Sequence, residues 1–216
     1  MSFALATGAE ARWTGEPGPR AVVCVNGGTA AEVPGTWSAS VEWLVRRLAA
    51  GHPSLAFLEV RYRVKSWRRL ESCVDDTRAA IAAARDAGAA EVALLGFSMG
   101  GAVSVRAAGD SAVSTVIALA PWLYDELDVS PLDGRRFVVL HGSLDRGVPG
   151  LPGVRPELSL RGYERALARG VDAERTVIGG AIHPLALRAP WGATVPMPRA
   201  GRWAELVGRE LERFCA

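Results

Sequence analysis

LLGFSMGG, residues 94–101, is the stretch that decides the fold. It connects an apolar run at residues 92–95 to a helical pattern at residues 102–108. Gly-x-Ser-x-Gly between a strand and a helix is typical of a nucleophile elbow, a tight turn that exposes a serine side chain. Glycine at 96 and 100 removes side chains that would collide with the strand or the helix. The stretch therefore predicts a reactive Ser98, although a glycine-rich chain can also contain this pattern by chance.

Short apolar runs alternate with helical patterns along the rest of the chain. Strands are predicted at residues 21–25, 55–60, 92–95, 113–119 and 137–140, with a weaker candidate at 174–178. Helices are predicted around residues 41–48, 73–84, 102–108, 157–169 and 203–214. This alternation predicts an α/β fold with a mainly parallel, doubly wound sheet and helices on both faces. Because the sequence shows no repeat or linker, we expect a single domain over residues 1–216.

Composition narrows the function classes. The 25 basic and 23 acidic residues give a net charge of +2, which carries no nucleic-acid signature. Three cysteines without a close pair indicate a reducing compartment. No run is long enough to cross a membrane, and the first residues do not read as a signal peptide. We therefore expect a cytoplasmic protein with neither a nucleic-acid nor a membrane partner.

A reactive serine needs a base, and the chain has three histidines. His52 precedes a predicted strand and is expected at the opposite edge of the sheet. His141 directly follows the strand at 137–140, where it could equally be structural. His183 lies in a late loop at the functional edge, and the chain order Ser, acid, His favours it as the base.

The acid that orients the base is sought between Ser98 and His183. Asp145 follows the strand at 137–140 by a few residues and is the first candidate, with a turn-capping role as the alternative. Asp125 and Asp128 follow the preceding strand and are the next candidates. Asp133 and Asp172 are expected before strands, at the wrong edge of the sheet.

Backbone N–H groups are predicted to stabilise the developing oxyanion. The N–H of Met99 follows the nucleophile at the start of a helix, where the helix dipole favours negative charge. A second donor is expected in Asn26-Gly27-Gly28-Thr29, after the first predicted strand. Gly28 is the first choice and Thr29 the second, while a plain Gly-Gly turn is the alternative.

Together these segments resemble the α/β-hydrolase superfamily, in particular its small, uncapped dienelactone-hydrolase-like and carboxylesterase-like branches. The likeness covers about residues 20–216 and is most specific at 94–101, at 141–145 with the following Val148-Pro149, and at His183. It implies a serine hydrolase that cleaves a small-molecule ester or thioester and needs no cofactor or metal. The roles it implies are Ser98 as nucleophile, Asp145 as acid, His183 as base, and the N–H groups of Met99 and Gly28 as the oxyanion hole.

The chain departs from the family pattern at two positions. Many relatives carry His-Gly before the oxyanion residue, where this chain has Asn26-Gly27. The dienelactone hydrolases proper use a cysteine nucleophile, so serine at position 98 means that dienelactones are not the implied substrate. An acyltransferase using the same triad and a catalytically silent hydrolase-fold binding protein are the alternative functions, and a peptidase is less supported.

Several residues are candidates for the substrate pocket. The apolar run before this connection ends near Ala120-Pro121 and the next strand begins near Phe137, and the roughly 15 residues between them are too few for a cap domain. Trp122 and Tyr124 leave the functional edge and could line the pocket or simply pack, and Thr29 is a further candidate. Residues 184–201 could fold over one side of the site. Five basic residues within residues 61–69, Arg63 among them, could attract an anionic substrate or form a solvated surface.

Overall fold

A computed structural model describes residues 2–147 and 153–216. Its central sheet contains eight strands: β1 (Ser2–Ala4), β2 (Glu10–Thr14), β3 (Arg20–Val25), β4 (Ala56–Arg61), β5 (Glu91–Phe97), β6 (Val113–Leu119), β7 (Arg136–Gly142) and β8 (Asp172–Ile178). A separate hairpin pairs β9 (Ala186–Arg188) with β10 (Thr194–Pro196). The α-helices of the described residues are α1 (Ala39–Ala49), α2 (Leu70–Asp86), α3 (Met99–Ala107), α4 (Pro156–Ala168) and α5 (Ala200–Cys215). Val148-Pro149, which forms part of the resemblance given above, lies outside the described residues.

The sheet has the order β1-β2-β4-β3-β5-β6-β7-β8. The six strands from β3 to β8 pair in parallel, while β1 and β2 add an antiparallel edge beside β4. The predicted fold class, a mainly parallel doubly wound sheet without a large cap, is confirmed. β1 and β2 were not predicted because they are short and lack an apolar run: β1 is exposed, and in β2 only Ala11 is fully buried.

Helices pack on both faces of the sheet, because successive apolar side chains of each strand point to opposite faces. In β3, Val23 and Val25 face a core that includes Val74 of α2, and α3 and α4 also contribute to that core. The intervening Cys24 faces the second core, which α1 and α5 form with residues such as Leu44. The connection from β3 to β4 runs in one direction along the sheet, and the connections from β4 through β8 run in the other. Because each crossover is right-handed, the helices of the two sets pack on opposite faces.

The reversal of strand order defines where a ligand would bind. The chain passes from β3 to β4 on one side and then crosses to β5 on the other side of β3. In doubly wound sheets, ligands bind outside the carboxyl ends of the strands at this switch point. The loop after Val25 and the turn after Phe97 therefore meet at the position that the topology favours for a site.

The connections near this edge are short. Between β6 and β7 the described chain contains one turn of 3₁₀ helix, Ser130–Leu132. Residues 184–201 contain the β9–β10 hairpin, which packs against α1. Within residues 2–147 and 153–216, no helix combines the length and apolarity that a bilayer crossing requires.

A cluster of buried charges fixes α1 against the sheet edge and the hairpin. Glu42 of α1 is only 4% exposed and accepts hydrogen bonds from Arg188 of the hairpin at 2.9 and 3.1 Å. Arg12 of β2 donates to Glu42 at 3.0 Å and to the buried Glu59 at 2.9 Å. The hydrogen bonds from Arg188 outweigh the effect of burial and, with those from Arg12, lower the pKa of Glu42 to about 2.

Replacing Glu42 with glutamine tests this cluster. A carboxyl whose pKa falls from 4.5 to about 2 on folding stabilises the protein above pH 4.5, and this contribution is lost as the pH falls toward 2. We expect Glu42→Gln to lower the free energy of unfolding at neutral pH by roughly 2 to 3 kcal/mol. The difference from wild type should shrink as the pH falls through this window, as measured by denaturant unfolding.

Glu212→Gln is the matched control, because Glu212 is exposed on α5 and makes no ion pair in the described chain. Its stability should follow that of wild type at every pH. If the free energies of unfolding of wild type and Glu42→Gln changed with pH in the same way, the ionised Glu42 would not be a source of the stability of the fold.

Candidate active site

Ser98 occupies a strained backbone conformation at the turn between β5 and α3. Its φ of 58° and ψ of −119° lie in a region that residues with a side chain rarely adopt. Three hydrogen bonds hold it there: the N–H of Ser98 donates to Leu119 at 2.9 Å, and its carbonyl accepts from Gly101 and Trp122, each at 3.0 Å. Such strain persists only where the surroundings over-determine it, and it is frequent at functional sites.

Two glycines allow the close approach that this turn requires. A Cβ at Gly96 would lie 2.5 Å from the hydroxyl oxygen of Ser104 on α3. A Cβ at Gly100 would lie 2.5 Å from the carbonyl oxygen of Val25 at the end of β3. Both contacts are closer than real Cβ atoms show, so neither position has room for a side chain. The turn brings Ser98 up to the loop after β3 without intervening bulk.

The structure brings Ser98, His183 and Asp145 together. Nε2 of His183 lies 3.0 Å from the hydroxyl oxygen of Ser98. Nδ1 of the same ring lies 2.7 Å from Oδ2 of Asp145. These residues come from three loops at the carboxyl ends of β5, β7 and β8, the edge that the sequence analysis had selected. The two distances form an unbroken hydrogen-bonded relay from a carboxylate to a hydroxyl.

Asp145 is a fully buried carboxylate with several donors. Its Oδ1 accepts the backbone N–H of Val154 at 2.9 Å, while Oδ2 faces both His183 and His141. Burial alone would raise the pKa of this carboxyl, but the hydrogen bonds from His141 and His183 outweigh that effect and lower it. Asp145 is therefore an anion at neutral pH. An ionised carboxylate beside Nδ1 of His183 is the arrangement in which Nε2, on the opposite side of the ring, can accept a proton.

His141 is a second histidine on the same carboxylate. It is completely buried, and its Nε2 lies 3.1 Å from Oδ2 of Asp145 and 2.8 Å from the carbonyl oxygen of Val154. Because both neighbours are acceptors, Nε2 carries the proton. Its Nδ1 is buried without a hydrogen-bond partner in the described structure. The sequence analysis had left a structural role for this residue open.

The predicted oxyanion donors lie beside the serine. Met99 begins α3, and Gly28 lines the same cavity as Ser98. In the part of the chain that the structure describes, neither of these N–H groups donates to a protein acceptor. Asn26 fixes the loop, since its side chain donates to the carbonyl of Val60 at 2.6 Å and its own carbonyl accepts from Tyr62 at 3.0 Å. Asn26 thus anchors this loop.

A cavity of about 570 Å³ opens beside Ser98 and His183. Its walls are mainly apolar and aromatic, with Trp37, Trp67 and Trp122 among them. Phe97 also lines it, and the Phe97 ring packs against that of His183 with centroids 5.0 Å apart. Pockets for small organic ligands have this size and character.

Of the predicted pocket residues, the structure brings only Trp122 to the cavity; the other three are corrected. The Thr29 hydroxyl donates to the backbone of Ala31 at 2.7 Å, so Thr29 stabilises the turn instead. Tyr124 packs behind Trp122, with ring centroids 4.7 Å apart. Arg63 is turned away, because Asp76, a buried carboxylate of α2, holds its guanidinium at 2.7 Å.

The alternative acids all have partners other than His183. Asp125 pairs with Arg161 at 2.7 Å, and Asp128 accepts from Ser130 at 2.7 Å. Asp133 and Asp172 each pair with an arginine as well. His52 lies at the far edge of the sheet, between α1 and α5, where Nδ1 is 2.9 Å from the carbonyl oxygen of Leu48.

Part of the cavity wall was not singled out from the sequence, although the segment 184–201, expected to fold over one side of the site, contributes Pro184, Ala186 and Leu187 to it. Trp37 and Ser38 come from the segment before α1, and Lys65 and Trp67 come from the segment after β4. Five basic residues at 61–69 were noticed as a group, but nothing in that run distinguished Lys65 from the arginines around it. Only the path of the loop reveals which of these side chains lines the cavity.

Known proteins resemble this chain in structure and not in sequence. The sequence matches no family model and no curated relative. Among solved structures, an α/β hydrolase enzyme, MGS-M1 from a deep-sea metagenome library, is similar with a TM-score of 0.73 at 16% identity, covering 99% of this chain and 97% of that one. A serine hydrolase homologue from Coxiella burnetii gives 0.68 at 20% identity, covering 98% and 96%.

A third similar structure is a hyperthermophilic esterase from the archaeon Pyrobaculum calidifontis, with a TM-score of 0.68 at 16% identity, covering 100% of this chain and 85% of the esterase. At such low identity the likeness concerns architecture and not activity. The strand order, the serine turn at the switch point and these three neighbours agree. The chain has the α/β-hydrolase fold.

Proposed function

We propose that this protein is a serine hydrolase that cleaves a small carboxylic ester or thioester through an acyl-enzyme. The observation that carries the proposal is the relay Asp145–His183–Ser98, with distances of 2.7 and 3.0 Å, which ends at a cavity of about 570 Å³. The names of the structural neighbours, an esterase and a serine hydrolase homologue among them, support the same reaction class.

Acylation begins when the Ser98 oxygen attacks the substrate carbonyl carbon. Nε2 of His183 accepts the hydroxyl proton as the new carbon–oxygen bond forms. Asp145, ionised and hydrogen-bonded to Nδ1–H, keeps the ring in the tautomer that leaves Nε2 free to accept, and stabilises the imidazolium that results. His183 then donates this proton to the departing alcohol or thiol, and the acyl group remains on Ser98.

The negative charge that develops on the carbonyl oxygen is received by the backbone N–H groups of Met99 and Gly28. Met99 directly follows Ser98 and Gly28 lines the same cavity, and neither N–H has a protein acceptor in the described structure, so both can donate without first breaking another hydrogen bond. The first turn of α3 adds the positive end of the helix dipole. One such donor typically contributes about 10²- to 10³-fold to turnover.

Deacylation repeats the sequence with water as the nucleophile. His183 accepts a proton from water, which attacks the acyl-enzyme, and then returns the proton to Ser98 as the carboxylic acid leaves. No step draws on a metal or an organic cofactor, because a hydroxyl, an imidazole, a carboxylate and two backbone amides supply the proton transfers and the charge stabilisation.

Triad substitutions test the proposal. We expect the wild type to hydrolyse short para-nitrophenyl esters and to release an initial burst of nitrophenol as the acyl-enzyme accumulates. Ser98→Ala and His183→Ala should each lower kcat by about 10⁴- to 10⁶-fold, and Asp145→Asn by roughly 10⁴-fold. Spectrophotometric assays with oxygen esters and the matching thioesters measure these rates.

Ser111→Ala is the control, because Ser111 is exposed and remote from the relay; its kcat should equal that of wild type. Added methanol distinguishes hydrolysis from acyl transfer, since a transferase would form the methyl ester as its main product. A folded wild type that hydrolyses no ester or thioester above the rate of Ser98→Ala would overturn the proposed function.

His141 is expected to act as a positioning residue through Asp145. Its Nε2–H is one of the donors that lower the pKa of Asp145. Leucine at this fully buried position would fill the space but remove the donor. We expect His141→Leu to lower kcat by about 10- to 100-fold, with little change in KM. The acid limb of the kcat profile should also move to higher pH, because the pKa of Asp145 rises.

His141→Gln separates this role from simple packing. Glutamine can present an amide N–H near the former Nε2 position, so part of the rate and of the pH profile should be restored. Equal losses in His141→Leu and His141→Gln, with an unshifted pH profile, would mean that His141 only fills space.

A further inference from the structure

Lys65 is the one ionised side chain that lines the cavity in the described structure. The lining residues around it are neutral or aromatic, apart from His183 itself, and no aspartate or glutamate is among them. Lys65 is also the only lysine in the chain, whose other 24 basic residues, of 25 in total, are arginines. A lone cation therefore faces the space in which a substrate would lie.

Three of the four arginines in the basic run at 61–69 are paired with carboxylates, while Arg68 is exposed and lies outside the cavity lining. Arg61 pairs with Glu10, Arg63 pairs with Asp76, and Arg69 pairs with Glu32. In contrast, no carboxylate of the described residues lies within ion-pairing distance of the Lys65 ammonium. Its side-chain partner is the Thr36 hydroxyl, at 2.9 Å from Nζ.

The backbone holds Lys65 in place at the cavity wall. Its N–H donates to the carbonyl of Val33 at 2.8 Å, and its own carbonyl accepts from Thr29 at 3.2 Å. The side chain is half-buried, and this burial lowers the pKa of the ammonium because no anion replaces the lost water. An anionic group entering the cavity would supply the missing charge, and Thr36 would keep the ammonium oriented.

The aromatic wall beside Lys65 restricts the rest of the ligand. Trp67, two residues further along the loop, is 40% exposed, and its ring centroid lies 6.4 Å from that of Trp122. These indoles offer apolar surface in the same cavity as Lys65 and Ser98. A single ammonium without a second cation suits a monoanion better than a dianionic phosphate.

We propose that Lys65 binds a carboxylate on the substrate, so that the protein prefers esters whose acyl or leaving group carries a carboxylate separated from the scissile bond by an apolar segment. This inference rests on the proposed function for its catalytic step, and on the cavity alone for its binding step. It replaces Arg63 as the residue of the basic run that contacts substrate, because Asp76 already neutralises Arg63.

A matched ester pair tests the preference. The mono-para-nitrophenyl ester of adipic acid and para-nitrophenyl hexanoate have acyl chains of equal length, and only the first carries a terminal carboxylate. We expect wild type to favour the anionic ester in kcat/KM after subtraction of spontaneous hydrolysis. Lys65→Gln should reduce the ratio of the two kcat/KM values by about 10- to 100-fold, the range for loss of one charge-assisted hydrogen bond.

Arg68→Gln is the matched control, since it removes one positive charge from the same segment while Arg68 lies outside the cavity lining. This variant should keep the wild-type ratio, as should Lys65→Arg within a few-fold. Lys65→Met, which retains the aliphatic stem, serves as the second charge-removing variant if Lys65→Gln does not fold. Equal ratios in wild type and both charge-removing variants, or an equal fall in Arg68→Gln, would overturn the inference.

Calorimetric binding to Ser98→Ala distinguishes this inference from the proposed function. Adipate monomethyl ester should bind, its neutral dimethyl analogue should bind at least 10-fold more weakly, and the added Lys65→Gln change should abolish the difference. Selective binding without ester hydrolysis by wild type would sustain the carboxylate site and reject the hydrolase. Ester hydrolysis by wild type without selective binding would support the hydrolase and reject the carboxylate site.

Discussion

The backbone of Ser98 is the constraint on which the rest of the site depends. A residue with a side chain at φ 58° and ψ −119° costs about 1 to 3 kcal/mol, so the turn exists only because its surroundings enforce it. Hydrogen bonds to Leu119 and Trp122 tie it to the end of β6 and the loop beyond, and the glycine contacts tie it to the end of β3. One strained turn thus connects the strands on both sides of the switch point and directs the hydroxyl toward His183.

The distribution of charge around that turn is equally specific. The one buried carboxylate of the relay, Asp145, receives donors from two histidines and a backbone N–H, which keeps it ionised out of contact with water. In the described cavity lining, carboxylates are absent and Lys65 is the only basic side chain besides His183. Negative charge is therefore confined behind the imidazole, while the space open to a ligand is apolar and weakly positive. Such an arrangement favours an acyl group and rejects a cationic one.

The sequence predicted the parts of this protein that local rules determine. Ser98 was singled out because its glycines have to stand at fixed spacing, Asp145 because it follows an apolar strand at the functional edge, and His183 because it lies in a late loop that fits the chain order Ser, acid, His. Trp37 and Lys65 were not singled out as cavity residues, since they reach the wall through loops whose paths depend on tertiary contacts. Arg63 failed as a pocket residue for the same reason: its partner, Asp76, lies in a helix that the sequence could not orient against it.

Covalent labelling tests the central claim, that Ser98 in its strained turn is a nucleophile activated by His183. The protein would be incubated with a fluorophosphonate, digested, and the adduct located by mass spectrometry, with His183→Ala treated in parallel. The account predicts one phosphonyl group per chain on Ser98 in wild type and essentially none in the variant. A folded wild type that remains unlabelled, or that is labelled at another residue, would contradict it.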